Sequence, residues 1–315
     1  MSDHTALPLY VIQADEAGES LSRFVEGRIE QCAALILQHG GILFRGFRVR
    51  ETSDYQAFIE ALRVRPLDYT YRSTPRTHVG GGVFTATEYS SRVEIPLHCE
   101  NAYQRIWPLW LSFCCMKSAS VGGQTPIADM RRVTAAIPVA TLERFAQRRV
   151  KYIRHYHPRV DLLWQEVFRT TDREELARFC DANDIHHEWL DGKILRTEQV
   201  CQGVAAHPVT GTTVFFNQAH LFHVSSLGEQ VAEDMTSVYG RDRLPRDAKF
   251  GDGGEIDTED LAAVRAAFAS EAVDLQWQQG DVVILDNMQV AHGRRTYVGE
   301  RRVLAALLDA WRTRE

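Results

Sequence analysis

Apolar residues recur at helical spacing from about Ser20 to Gln38, with Leu21, Phe24, Val25 and Ile29 on one face, and this predicts an amphipathic helix. HGGILFRGF at 39–47 reads as a turn and a short buried strand. Ser53 to Arg63 reads as a helix capped by Ser53 or Asp54. Arg92 to Leu97 alternates as a strand does, and Trp107 to Met116 is a second, more apolar strand. Val133 to His187 reads as mostly helical, and its stretch DREELARFCDAND has the charge pattern of a solvated helix face. Strands resume near Gly211 to Asn217. The end of the chain is clearest: GDVVILDN at 280–287 is a strand, a polar turn follows, and Arg302 to Trp311 is another strand.

Short strands at both ends with helices between them predict an α+β fold. Its core is a closed or sandwich-like antiparallel sheet carrying helical insertions, rather than a doubly wound parallel sheet. No repeat, low-complexity stretch or Pro/Gly/Ser-rich linker divides the chain, so residues 1–315 read as one domain. No GxGxxG or GxxxxGK[ST] motif occurs, and GGGVF at 80–84 reads as a turn rather than a phosphate loop.

Composition narrows the function classes. Hydrophobic residues make up 44% and charged residues 25% of 315, the balance of a globular protein with a sizeable core. The net charge of −6 and the scattered basic residues argue against a nucleic-acid partner. No cationic, apolar leader and no long apolar run is present, which argues against membrane insertion and for a cytoplasmic protein. The six cysteines form no CxxC pair, so they read as reduced thiols rather than as a disulfide framework or zinc site.

The candidate chemistry begins at His98 and Glu100. On a strand, residues two apart share a face, so H-x-E can aim an imidazole and a carboxylate at one point. His292, in the polar turn AHGRR, is the candidate third donor. Two histidines and one carboxylate on one side of an iron ion form the facial triad of non-haem oxygenases, with positions left open for co-substrate and O2. H-x-E alone is a weak signal, because chance pairs are frequent. The other histidines are read as surface or turn residues or as pairs on a shared face.

A wider pattern separates this pair from the rest. LHCENAYQ at 97–104, SFCC, GGQTPIAD at 122–129, LDNMQVAHGRR and GERR occur in order. ILFRGF, TATEY, HPVTG, FFNQAHLFH and FGDG accompany them between about Ile42 and Trp311. In these blocks the sequence resembles the taurine dioxygenase/clavaminate synthase-like (TauD/TfdA) family of iron(II)/2-oxoglutarate oxygenases. It looks closest to a branch that hydroxylates amino acids in natural-product assembly, some of them as carrier-tethered groups. The resemblance implies a double-stranded β-helix, a cupin-like jelly roll, with His98, Glu100 and His292 as iron ligands. It implies Thr125 and Arg302 as the pair that holds the distal carboxylate of 2-oxoglutarate, with Arg301 on the other strand face. Iron(II), 2-oxoglutarate and O2 are the implied cofactor and co-substrates.

The partner implied is a small-molecule substrate, free or on a peptidyl carrier protein. Glu88, Asn101, Tyr103 and Arg294 are candidate substrate contacts, each of which could equally be a local structural hydrogen bond. Two departures from the taurine enzyme stand out. Glu100 replaces an aspartate, as in clavaminate-type members. Ala306 occupies the position of its sulfonate-binding arginine, on the strand face of Arg302. A halogenase would lack the carboxylate that Glu100 supplies. Desaturation or ring closure on the same scaffold stays open, and a non-catalytic binding module should lack a ligand or the arginine.

Overall fold

Three strands, Ile106–Lys117, Val282–Asp286 and Arg302–Arg312, carry the core and are buried on both faces over most of their length. In the last of them, Arg302–Arg312, the side chains of Val303, Ala305 and Leu307 point one way and those of Leu304, Ala306 and Leu308 the other, and both sets are buried. A strand buried on both faces must lie between two layers. The computed structural model, which describes residues 8–312 apart from 17, 68, 69, 72, 88 and 159, has those layers.

On one side, Val303, Ala305 and Leu307 meet Leu111, Phe113 and Val283 of the same sheet and Ile127, Leu275 and Val290 of a facing sheet. On the other, Leu304, Ala306 and Leu308 pack with Phe44 and Ile284 under the helices Leu21–Glu26, Ile29–His39 and Thr52–Ala61, through Val25, Ile36 and Phe58. Each fully buried aliphatic side chain of this kind contributes about 1.5–3 kcal/mol relative to exposure.

The larger sheet runs Tyr10–Gln13, Gly41–Arg45, Val282–Asp286, Ile106–Lys117, Arg302–Arg312, Val83–Thr85, His78–Gly80. The facing sheet runs Val273–Leu275, Thr125–Asp129, Val290–Arg294, Ile95–His98. In chain order the strands alternate between the two: 95–98, 106–117, 125–129, then 273–275, 282–286, 290–294, 302–312. That alternation is the double-stranded β-helix that the resemblance implies. The helical insertions lie in the long excursion between residues 129 and 273.

Several local expectations need correction. The first helix is two helices, broken at Gly27 and Arg28. The third helix starts earlier, with Glu51 as its cap in a reciprocal box with Asp54, because the acidic side chain at 51 accepts the free N–H groups of the first turn. The region 133–187 is only partly helical. Val150–His155 is a strand, and with His186–Leu190, Ile194–Cys201 and Arg246–Phe250 it forms a further sheet. Val150–His155 is buried on both faces, so it lacks the polar alternation that marks a half-exposed strand. The turn placed around His292 is itself a strand, Val290–Arg294, with all five residues buried. Among the described residues, no helix is long and apolar enough to cross a membrane.

Candidate active site and metal centre

Two neighbouring strands of the smaller sheet bring the first donors together. His292 lies opposite His98 in the antiparallel pair, and their ring centroids are 4.5 Å apart. Glu100 follows just beyond the end of the His98 strand, and its Oε2 lies 3.6 Å from His292 Nε2. One donor atom from each of the three residues lies within 4.8 Å of the others. The jelly roll thus converges residues 98, 100 and 292 at one open end.

Local contacts fix each donor. His98 Nδ1 donates to the Pro96 carbonyl at 2.8 Å, which leaves Nε2 with its lone pair. Burial, and then the neighbouring His292, push the His98 imidazole down to about 3, so it stays neutral at physiological pH. Burial alone would raise the Glu100 carboxyl. Arg76, with the hydrogen bond and charge of the two imidazoles, outweighs burial and holds it well below the usual carboxylate range. Arg76 Nη2 donates to Glu100 Oε2 at 2.7 Å, and both side chains are almost wholly buried.

The backbone of Glu100 is held separately. Asn287 Oδ1 accepts its N–H at 2.7 Å, and Asn287 Nδ2 donates to its carbonyl at 2.9 Å. The turn that carries Asn287 is braced by Asp286, which accepts from His207 Nε2 at 2.8 Å and from the Met288 and Gln289 amides. The HPVTG and LDN blocks are therefore one support. Arg76 escaped the sequence reading, because no local pattern links it to a partner 24 residues away.

Two neutral-capable imidazoles and an ionised carboxylate on one side of a point suit a divalent iron ion and leave its other positions open. A small cavity of about 40 Å³ adjoins the cluster, and Thr125, Arg76, Arg294, Arg301, Phe113 and Val303 line it. Arg301 donates Nε to the Gly123 carbonyl at 3.0 Å, and no described carboxylate pairs with it. Burial, and then Arg294, push its guanidinium down to about 10. A largely buried guanidinium of this kind favours an anion beside it. Thr125 Oγ1 accepts from Trp277 Nε1 at 2.9 Å, which leaves its hydroxyl proton free for an incoming acceptor.

This corrects the arginine assignment. Arg302 is exposed and donates to Thr52 Oγ1 at 3.2 Å on the helix-covered side. It and His292 belong to facing sheets, not to paired strands. Arg301 shares strand parity with Val303 and Ala305, the residues that face the smaller sheet, and the bulge at this point places its extra residue, Met116, on the partner strand. The position four residues past the cavity-facing arginine is thus Ala305, not Ala306. It is alanine in either frame.

The candidate substrate contacts separate. Tyr103 lines a larger cavity of about 450 Å³ beside the cluster, although its hydroxyl donates to the Tyr71 carbonyl. Arg294 spends its two terminal nitrogens on the carbonyls of Thr87, Tyr89, Ser90 and Val93 and so straps that loop against the site. Asn101 is a buried turn residue with φ of 57°, and it does not line the larger cavity. Glu88 lies outside the described residues. Gln218 of the FFNQAHLFH block does line the larger cavity. Its position in a block that accompanies the triad was the signal available for it.

Comparison with known proteins agrees with this geometry. Residues 4–308 match the family described as Taurine catabolism dioxygenase TauD, TfdA family. The dapdiamide synthesis protein DdaC of Enterobacter agglomerans is 38% identical over 275 residues, 87% of this chain and 84% of that protein. A clavaminate synthase-like protein of Arabidopsis thaliana is 28% identical over 285 residues, covering 87% and 83%. The crystal structure of PvcB from Pseudomonas aeruginosa superposes with a TM-score of 0.57 at 16% identity, covering 98% of this chain and 90% of PvcB, a likeness of fold. The jelly roll, its His–Glu–His cluster and the family match over almost the whole chain together place this protein in the TauD/TfdA family of iron(II)- and 2-oxoglutarate-dependent dioxygenases.

Proposed function

We propose that this protein hydroxylates a C–H bond of an amino acid, or of an aminoacyl group tethered to a peptidyl carrier protein, in a biosynthetic pathway. The observation that carries the reading is the convergence of His98, Glu100 and His292 beside Arg301, which pairs with no carboxylate among the described residues. The name of the DdaC relative, which ties that protein to dapdiamide synthesis, supports a biosynthetic setting.

His98, Glu100 and His292 would hold iron(II), and Arg301 with Thr125 would hold the distal carboxylate of 2-oxoglutarate. With O2, that group couples oxidative decarboxylation of 2-oxoglutarate to succinate with oxidation of the substrate. The chain does the rest. Arg301 offers a planar fork that matches a carboxylate with two hydrogen bonds, and Thr125 adds a third donor. Phe113 and Val303 give the small cavity an apolar wall. Arg76 keeps Glu100 ionised and fixed in direction, and Arg294 holds the carbonyls of Ser90 and Val93 in place. Hydroxylation needs no general base, and none is assigned.

The test has two parts. Anaerobic addition of iron(II) and 2-oxoglutarate should give a weak visible charge-transfer band at one iron per chain. A succinate-release screen should then compare free amino acids with carrier-tethered aminoacyl thioesters, and mass spectrometry should find one added oxygen. Loss of two hydrogens without added oxygen would move the assignment to desaturation or ring closure. Absence of both band and succinate would remove the oxygenase reading.

A further inference from the structure

The larger cavity is more than a free amino acid needs. Its volume of about 450 Å³ falls in the range of roughly 300–1,000 Å³ of pockets that enclose drug-sized ligands. The polarity of its walls is uneven. Away from the cluster, Val160, Leu221, Phe222, Val224, Leu227 and Met235 present apolar surface.

The charged residues on that outer wall are already spent. Arg246 is paired with Asp161 through two contacts of 2.5 and 2.6 Å and also donates to the Ser73 carbonyl at 2.6 Å. Glu94 is paired with Arg295 at 2.5 Å. Among the described residues, the charged side chains on this wall are already paired and offer a charged ligand group no free partner. The path continues outward into a groove of about 580 Å³ that shares Tyr89, Val160 and Asp161 and adds Leu163. Val160 and Leu163 are 41% and 40% exposed there, and Glu166 also lines the groove.

The inner end is different. Gln218 is 4% exposed and lines the cavity beside the cluster. Its Nε2 donates to the carbonyl of Cys99, the residue between His98 and Glu100, at 2.6 Å. A carbonyl can only accept, so this contact fixes which amide atom is nitrogen. Tyr152 Oη, 2.6 Å from the Gln218 amide, fixes the backbone independently of the side chain. No donor among the described residues reaches Gln218 Oε1. An acceptor held in this way on the cavity wall is available to a ligand N–H or O–H. Arg76 and Glu100 line the same end of the cavity as an ion pair whose charges offset, so the pair attracts no charged donor and the matching donor is neutral.

Building on the oxygenase reading above, we infer that the substrate is chain-like. A neutral N–H or O–H beside the reacting carbon is read by Gln218 Oε1, and an uncharged, mainly apolar tail runs outward past Phe222 and Met235. Gln218 is the specificity-determining residue for the inner end.

Calorimetry on the anaerobic enzyme loaded with iron(II) and 2-oxoglutarate tests this. The probes are glycine, serine and asparagine, their N-hexanoyl derivatives, and the same derivatives methylated on the amide nitrogen. The N-hexanoyl compounds should bind at least tenfold more tightly than the free amino acids. Methylation of the amide should weaken binding about tenfold in the natural protein. Gln218→Leu should weaken the N–H series by a similar factor and leave the N-methyl series where it was, so that the two losses do not add. Met235→Arg, on a partly exposed helix, should erase the advantage of the hexanoyl tail.

Equal or tighter binding of the free amino acids, or no binding by either series, overturns the chain-like substrate. Equal losses in both series on Gln218→Leu overturn the role of Gln218, and should that variant not fold, an unchanged affinity on N-methylation in the natural protein overturns it. Failure of the oxygenase reading looks different: the charge-transfer band with 2-oxoglutarate is missing before any probe is added.

Discussion

Asn287 grips the backbone of Glu100 from both sides, accepting its N–H at 2.7 Å and donating to its carbonyl at 2.9 Å. The same Nδ2 also donates to the Pro108 carbonyl at 2.9 Å, and Asn287 is fully buried. One side chain therefore joins the turn before the His292 strand, the residue that follows the His98 strand, and the long strand of the larger sheet. Asn287→Ala should leave up to three buried backbone groups unpaired. Each such group is unfavourable by about 1–3 kcal/mol, so a loss of about 3 kcal/mol or more in urea unfolding is expected. Iron(II) affinity should fall with it. An Asn287→Ala protein with natural stability and iron content would show that other contacts set the Glu100 backbone.

His98→Ala and His292→Ala should each lose stoichiometric iron and substrate-dependent succinate. Each leaves only two protein donors where the site needs three. The protein should still fold, because the core clusters do not depend on either imidazole. Iron content by a colorimetric chelator, alongside circular dichroism, separates the two effects. Natural iron content in either variant would remove that histidine from the ligand set.

Arg301→Ala should weaken 2-oxoglutarate binding, and Arg302→Ala should not. A charge-assisted contact in a partly buried site is worth roughly 1.5–3 kcal/mol, which raises the apparent dissociation constant by about tenfold to a hundredfold. Arg302 faces the helices and touches Thr52, so its loss should change little. Titration of the visible band with 2-oxoglutarate gives both constants, and the reverse ranking would restore the sequence-based choice.

That pair of arginines marks where the sequence stops being legible. His98 and Glu100 could be read because i and i+2 share a strand face, and His292 because its block accompanies theirs. The choice between Arg301 and Arg302 depends on which face of the strand meets the smaller sheet, and because both faces are apolar from 303 to 308 the pattern does not tell them apart. The two-layer β core was readable from alternation and apolar runs at 107–116, 280–287 and 302–311. Val150–His155 was not, since burial on both faces removes the period that distinguishes a strand from a helix. Arg76 was invisible for a different reason: its role is a tertiary contact with Glu100, and no spacing rule applies to it.

The last prediction concerns pH and the support behind His98. His220, on the short helix Ala219–Phe222, stacks on Phe268 at 4.8 Å and donates Nε2 to the Leu97 carbonyl at 3.0 Å. Burial pushes its imidazole down from 6.5 to about 4, with Arg265 adding to the shift and the Leu97 hydrogen bond opposing it. The unfolded chain takes up this proton near pH 6.5, whereas the folded protein does not until about pH 4. Above pH 6.5 both states are neutral and His220 has no effect on stability. As pH falls from 6.5 to 4, the unfolded state gains the proton and the folded state is progressively disfavoured. Below 4 both are protonated and the loss is complete, at about 3 kcal/mol. His220→Gln removes this titration and keeps an N–H donor for Leu97. Unfolding free energies of the metal-free natural and variant proteins should therefore converge as pH falls through that window, because only the natural protein suffers the His220 loss. Carboxylates titrate in both proteins and cancel in the difference. A difference that stays constant from pH 7 to 4 would mean that His220 takes up its proton equally well in the folded protein.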